Sequence, residues 1–117
     1  MVAVVDDDES WRAALQRLLR SEGFPVQAFA SAEDFLKSGQ QHETGCLITD
    51  IRMPGMSGLE LQAKLNADHR AIPTIFISAH GDEKMRLQAM RGGAVKFLAK
   101  PFDDAILLES VRTALKR

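Results

Sequence analysis

The chain has one cysteine, no excess of either charge and no long apolar run, and each shortage closes off a class of protein. A lone cysteine, Cys46, cannot make an internal disulfide and is compatible with a reducing, cytoplasmic setting. With no paired thiol and an apolar run around it, Cys46 reads as a packing residue. Lys plus Arg number 15 against 16 for Asp plus Glu, a formal net charge of −1, whereas a free-standing nucleic-acid binder carries a basic excess. Apolar runs of a handful of residues fall far short of a membrane span, and no signal-peptide pattern is visible. There is no internal repeat, linker or low-complexity stretch. His42, His69 and His80 share no metal-ligand spacing and read as surface or loop residues. What is present is 117 residues, 45% hydrophobic and 26% charged, an ordinary soluble composition with room for one domain and one packed core.

Short β-rich apolar runs alternate with longer segments of helical spacing. Met1 to Val5 reads as a buried strand, and Trp11, Ala14, Leu15, Leu18 and Leu19 then recur at helical steps until Gly23. Trp11 is expected on that helix's core side or edge. Pro25 to Phe29 is a second strand. Ser31-Ala32-Glu33-Asp34 resembles a capping box, with Phe35 and Leu36 on the buried face behind it. Cys46 to Thr49 is a third strand ending at Asp50, followed by a Pro54-Gly55 turn. Ser57-Gly58-Leu59-Glu60 is a second capping-box candidate, opening a helix through Leu61 and Leu65. Thr74 to Ile77 is the fourth strand, Lys84 to Met90 a helix closed by Gly92-Gly93, and Val95 to Leu98 the fifth strand. Asp103 to Leu115 makes the last helix, with Ile106, Leu107, Val111 and Leu115 expected to face inward. Strict alternation implies a parallel sheet covered on both faces. Right-handed crossovers then predict an α/β, flavodoxin-like (βα)5 doubly wound domain over residues 1–117, with a five-stranded parallel sheet in the order 2-1-3-4-5.

In that order the first and third strands lie side by side at the switch point, where ligands bind beyond the carboxyl ends. The first strand ends in Asp6-Asp7-Asp8, the third in Asp50, the fourth in Ser78 and the fifth near Lys100-Pro101. Several carboxylates, a hydroxyl and an ammonium are therefore expected on one rim. Crowded carboxylates repel unless a cation joins them, and hard oxygen ligands beside a phosphate suit Mg²⁺ (or Mn²⁺). No GxxxxGK[ST] loop and no GxGxxG turn is present, which argues against a stored nucleotide. A carboxylate such as Asp50 can itself be the nucleophile and form an aspartyl phosphate, with charge neutralisation by the cation, Lys100 and Ser78. Asp8 reads as a cap of the first helix. Phe97, in a strand, is at least a core residue.

Val5-Asp6-Asp7-Asp8, the run from Thr49 to Gly58, Ser78-Ala79-His80, Gly92-Gly93-Ala94 and Lys100-Pro101-Phe102 together resemble the receiver domain of two-component response regulators, most closely the FixJ/NarL-type transcriptional regulators. The resemblance covers essentially the whole chain. It implies that Asp50 accepts a phosphoryl group from a phosphohistidine on a sensor histidine kinase. It further implies Mg²⁺ bound directly by Asp7, mainly through water by Asp6, and by Asp50 and the main-chain carbonyl of Arg52. Lys100 would pair with phosphoryl oxygens, and its bond to Pro101 would be cis. Ser78 would move toward the phosphate with Phe97 swinging in behind it, changing the surface around the fourth helix, fifth strand and fifth helix. Arg52 and His80 fall where the family tunes hydrolysis. A phosphorylation-dependent homodimer is a family expectation. The first strand begins at Met1, where family members usually carry several residues ahead of it. The chain stops after the fifth helix, where a FixJ-type regulator continues into a helix-turn-helix output domain, so DNA would be reached only through a domain outside this chain.

The expected function is thus a signalling switch that turns over no metabolite. An enzyme alternative, a haloacid-dehalogenase-type phosphatase, wants Asp-x-Asp-x-Thr/Val and normally a larger chain with a cap, and Asp6-Asp7-Asp8-Glu9-Ser10 fails at the last position. A pseudo-receiver, a pure interaction module with a dead site, is opposed by the full set of Asp6, Asp7, Asp50, Ser78 and Lys100.

Overall fold

A computed structural model describes residues 1–79 and 83–116. Among them the chain runs β1 (Val2–Val5), α1 (Glu9–Ser21), β2 (Val26–Phe29), α2 (Ala32–Lys37), a short 3₁₀ turn (Gln40–Glu43), β3 (Cys46–Asp50), α3 (Gly58–Ala67), β4 (Thr74–Ser78), α4 (Glu83–Arg91), β5 (Lys96–Ala99) and α5 (Asp104–Leu115). The strands form one parallel sheet in the order β2-β1-β3-β4-β5, the expected doubly wound topology. Strand ends differ from the sequence expectation by a single residue, with β1 starting at Val2 and β5 shifted to Lys96–Ala99.

Alternation along each strand divides the core into two layers. Val2 and Val4 of β1 pack with Leu15 and Leu19 of α1 and with Leu107, Leu108, Val111 and Ala114 of α5. Ala3 and Val5 face the other way, onto Ala32 and Phe35 of α2 and Leu61 and Leu65 of α3. A third cluster, Ile51, Phe76, Ala89 and Ala94, fixes α4 against the sheet, with Phe97 half-buried beside it. Cys46 is fully buried, and that burial pushes its thiol pKa up to about 12, in keeping with a packing role.

Local signals set most helix starts. Asp8 caps α1 by accepting from the Ser10 and Trp11 N–H groups at 2.9 and 3.2 Å. Ser57 and Glu60 make both bonds of the capping box at the start of α3. Two expectations need correction. Ser31 caps α2 through the Asp34 N–H at 3.0 Å, but the Asp34 side chain does not return the second bond of a capping box to the Ser31 N–H; Glu33, one position earlier, accepts from the Met56 N–H of the β3–α3 loop at 3.0 Å. In α5 the buried stripe is Leu107, Leu108, Val111 and Ala114, while Ile106 and Leu115 are 47% and 38% exposed. Both sets satisfy helical spacing. The phase is chosen by how the helix lands on the sheet, and Ile106 lies about 100° around the helix from Leu107.

The β3–α3 connection is held by close backbone approach. The Gly58 N–H donates to the Ile51 carbonyl at 2.9 Å, and a Cβ on Gly58 would run into the main-chain carbonyl oxygen of Asp50. Gly55 adopts φ +76, and Glu33 occupies the space its Cβ would take. Alanine at Gly58 gains at most about 1 kcal/mol of helix propensity, against an overlap with backbone that cannot rotate away. Gly58→Ala should therefore cost a net ~1–3 kcal/mol, read as a lower urea midpoint, with backbone amide shifts centred on Asp50.

Candidate functional site

Strand register builds the site. Val5 pairs with Thr49, so Asp6 and Asp50 are the next positions on adjacent parallel strands. Asp50 pairs with Ile77 and Ser78 with Ala99, which brings Ser78 and Lys100 to the same rim. The Lys100 N–H donates to the Ser78 carbonyl at 2.8 Å, locking the end of β5 to the end of β4. The Lys100-Pro101 peptide is cis, as expected.

Three carboxylates and one ammonium meet there. One ligand oxygen each from Asp6, Asp7 and Asp50 lies within 4.8 Å of the others, a group that could hold a metal ion. The Lys100 Nζ donates to Asp50 Oδ2 at 3.2 Å and to Asp6 Oδ2 at 3.3 Å, its side chain only 9% exposed. Asp6 is buried, Asp50 half-buried and Asp7 exposed, so the cluster opens to solvent on one side. Asp6 accepts from the Asp8 N–H at 2.9 Å, and Arg12 donates to its main-chain carbonyl at 2.8 Å. The Asp6 pKa is nonetheless raised above its ordinary 3.8, chiefly because burial disfavours the charged form, with Asp50 adding repulsion. Hard oxygen donors outnumbering their one cationic partner fit a divalent ion such as Mg²⁺.

Of the other expected residues, Ser78 is buried at the end of β4. Arg52 is exposed; its N–H lies 3.4 Å from Asp50 Oδ1, and its guanidinium turns away toward the Met85 sulfur. Phe97 lies away from the carboxylates, in the cluster beneath α4. His80 lies outside the described residues.

The sequence reading missed Trp11. The Lys100 Nζ sits 4.7 Å from the centroid of its indole, and the ring of Phe102 stands behind it at 5.6 Å, tilted by 34°. The available signal was position: Trp11 lies in the first turn of α1, which the Asp8 cap turns back over the switch point. Glu33 was missed as well, because its partner Met56 is remote in sequence and offers only a main-chain N–H.

A cation-ready acidic pocket at the β1/β3 switch point of a flavodoxin-like sheet defines the class of domain. The response regulator receiver domain model matches residues 2–112, and the chain belongs to that family. Among curated relatives, nodulation protein W of Bradyrhizobium diazoefficiens is 49% identical over 117 residues, covering 100% of this chain and 52% of that protein. The transcriptional regulatory protein FixJ of Azorhizobium caulinodans is 46% identical over 116 residues, covering 99% of this chain and 55% of that protein. Of solved structures, the FixJ-N crystal structure superposes with a TM-score of 0.90 at 42% identity, covering 99% of this chain and 93% of that one. The response regulator StyR gives 0.92 at 50% identity, covering 98% of this chain and 58% of that one. The chain spans about half the length of the curated relatives it matches. No helix among the described residues is long and apolar enough to cross a membrane.

The raised Asp6 pKa has a signed consequence. Between 3.8 and its elevated folded value the folded state holds the extra proton, so the Asp6 contribution to stability falls as pH rises through that window. In metal-free buffer, Asp6→Asn should match the wild type at a pH below 3.8, where Asp6 is protonated in both states, and should be the more stable protein at neutral pH. Urea melts of the two across pH read the difference directly.

Proposed function

We infer that this chain is a phospho-acceptor switch of a two-component pathway, with residues 1–117 acting as one receiver module. The observation that carries this reading is Asp50: a half-buried carboxylate at the switch point, 3.2 Å from a lysine ammonium and grouped with two further carboxylates. One Asp50 oxygen attacks the phosphorus of a phosphohistidine on a sensor histidine kinase. The P–O bond forms as the P–N bond breaks, and the departing imidazole takes a proton from solvent. Lys100 holds the negative oxygens of the transferring group, and Ser78 approaches from the end of β4 as a neutral donor. Asp6, Asp7, Asp50 and the Arg52 main-chain carbonyl would hold Mg²⁺ (or Mn²⁺), which would supply charge neutralisation in the same place.

Readout follows from Ser78 and Phe97. Ser78 drawn toward a phosphoryl group leaves room on the α4 side of the sheet, into which Phe97 moves, and the surface of α4, β5 and α5 changes. Leu87 and Met90 of α4 and Ile106 of α5 are 42%, 40% and 47% exposed, apolar material for a phosphorylation-dependent homodimer. Arg52 and His80, each two residues beyond a site residue in the sequence, tune hydrolysis. The setting is the cytoplasm, and any contact with DNA runs through an output domain outside residues 1–117.

The test is intact mass after incubation with acetyl phosphate, with and without Mg²⁺. Wild type should gain one Mg²⁺-dependent phosphoryl adduct and Asp50→Asn none; an adduct on Asp50→Asn would sink the assignment, and no adduct on wild type would turn the reading to a dead-site interaction module. Asp7→Ala should lose Mg²⁺ binding in a calorimetric titration.

A further inference from the structure

We propose that Trp11 is a positioning residue for Lys100: its indole face holds the ammonium beside Asp6 and Asp50, aimed at the phosphoryl group carried by Asp50. The inference rests on the phospho-acceptor reading and adds to it a residue that touches neither phosphate nor metal.

A lysine is a flexible stem with a strongly hydrated head, and ordering it costs rotamer entropy. Here the stem is largely buried while Nζ makes three contacts: Asp50 at 3.2 Å, Asp6 at 3.3 Å and the Trp11 ring centroid at 4.7 Å. The first two are carboxylates whose charge changes when the site works. Phosphorylation turns the Asp50 carboxylate into an acyl phosphate and moves the negative charge out to the phosphoryl oxygens, and a divalent ion would compete for Asp6. The indole quadrupole neither titrates nor becomes phosphorylated, so it is the contact that persists throughout the cycle. The ring is itself held. Its backbone N–H is bound by the Asp8 cap at 3.2 Å, and Phe102, two residues beyond Lys100, packs on it at 5.6 Å. The neighbouring Arg12 ties the same helical turn to the Asp6 carbonyl at 2.8 Å. One turn of α1 thus braces a carboxylate and the ammonium together, the kind of rigid support that keeps a charged group in productive geometry.

A packing role alone would need only apolar volume, whereas the proposed role needs a π face. Trp11→Phe keeps the face and Trp11→Leu removes it. Labelling by acetyl phosphate at saturating Mg²⁺, followed by intact mass, should run about fivefold slower in Trp11→Leu and within about twofold of wild type in Trp11→Phe. Trp11→Met replaces the leucine variant if that one is unfolded by circular dichroism at assay temperature. In a Lys100→Ala background, which is slow by itself, Trp11→Leu should add no further loss, because its effect passes through the ammonium. Wild-type labelling rates in Trp11→Leu, or an equal slowing with and without Lys100, would overturn the proposal. A second readout needs no phosphorylation. The Lys100 ε-methylene protons should be shifted upfield by the indole ring current in wild type and in Trp11→Phe, and return to ordinary lysine positions in Trp11→Leu. Ordinary positions in wild type would overturn the contact itself. Failure of wild type to label, with the upfield shift present, would count against the phospho-acceptor reading and leave the Trp11–Lys100 contact standing.

Discussion

The ammonium of Lys100, lodged between Asp6 and Asp50 with little access to water, is the interaction on which the arrangement of this molecule turns. Its three charged groups come from the ends of β1 and β3 and from the residue after β5. Burying ions is expensive, and their mutual attraction returns that cost only where geometry is good. Here the balance is incomplete. Asp6 has its pKa raised by burial despite the lysine beside it, and Asp7 brings a further negative charge to the same opening. The pocket is therefore a place where the fold gives up stability, and the fully buried Val, Ile, Leu and Phe side chains of the sheet and its helices supply what offsets it. A site short of positive charge is also one that responds strongly when a cation arrives.

Several features outside the pocket keep it in shape. Gly58 lets the start of α3 press against the Asp50 carbonyl, and its N–H bonds to Ile51. Glu33 reaches from α2 to hold the Met56 N–H, fixing the loop that follows Arg52. The Asp8 cap and Arg12 do the same for the loop after β1. These contacts are made largely to backbone groups, so they constrain where the carboxylates stand without changing the charge of the site. The two walls of the pocket are thus braced by different helices, α1 on one side and α2 with α3 on the other.

Membership in the receiver family and similarity to FixJ and nodulation protein W agree with this geometry at the level of the domain. The tryptophan against the lysine is a feature of this chain at a finer level than the fold. An aromatic ring on the first turn of α1 can change how firmly the ammonium is held while leaving the carboxylates, the sheet and the switch surface untouched.

The fold was legible from residue pattern because alternation of apolar runs and amphipathic helices is a local property, and parallel strands with right-handed crossovers leave few ways to arrange five of each. Asp6, Asp7, Asp50, Ser78 and Lys100 could be gathered on one rim from sequence alone, since each stands at the end of a strand and parallel strands share their ends. Asp8 and the Ser57–Glu60 pair were readable for the same reason: a cap acts on its own helix. The tertiary structure decided what depends on distance between remote segments. It joined Glu33 to the Met56 N–H, rotated α5 so that Leu108 and Ala114 face inward in place of Ile106 and Leu115, and set the Trp11 ring under Lys100. In each case the outcome depends on contact with a chain segment far away in sequence, which no local pattern encodes.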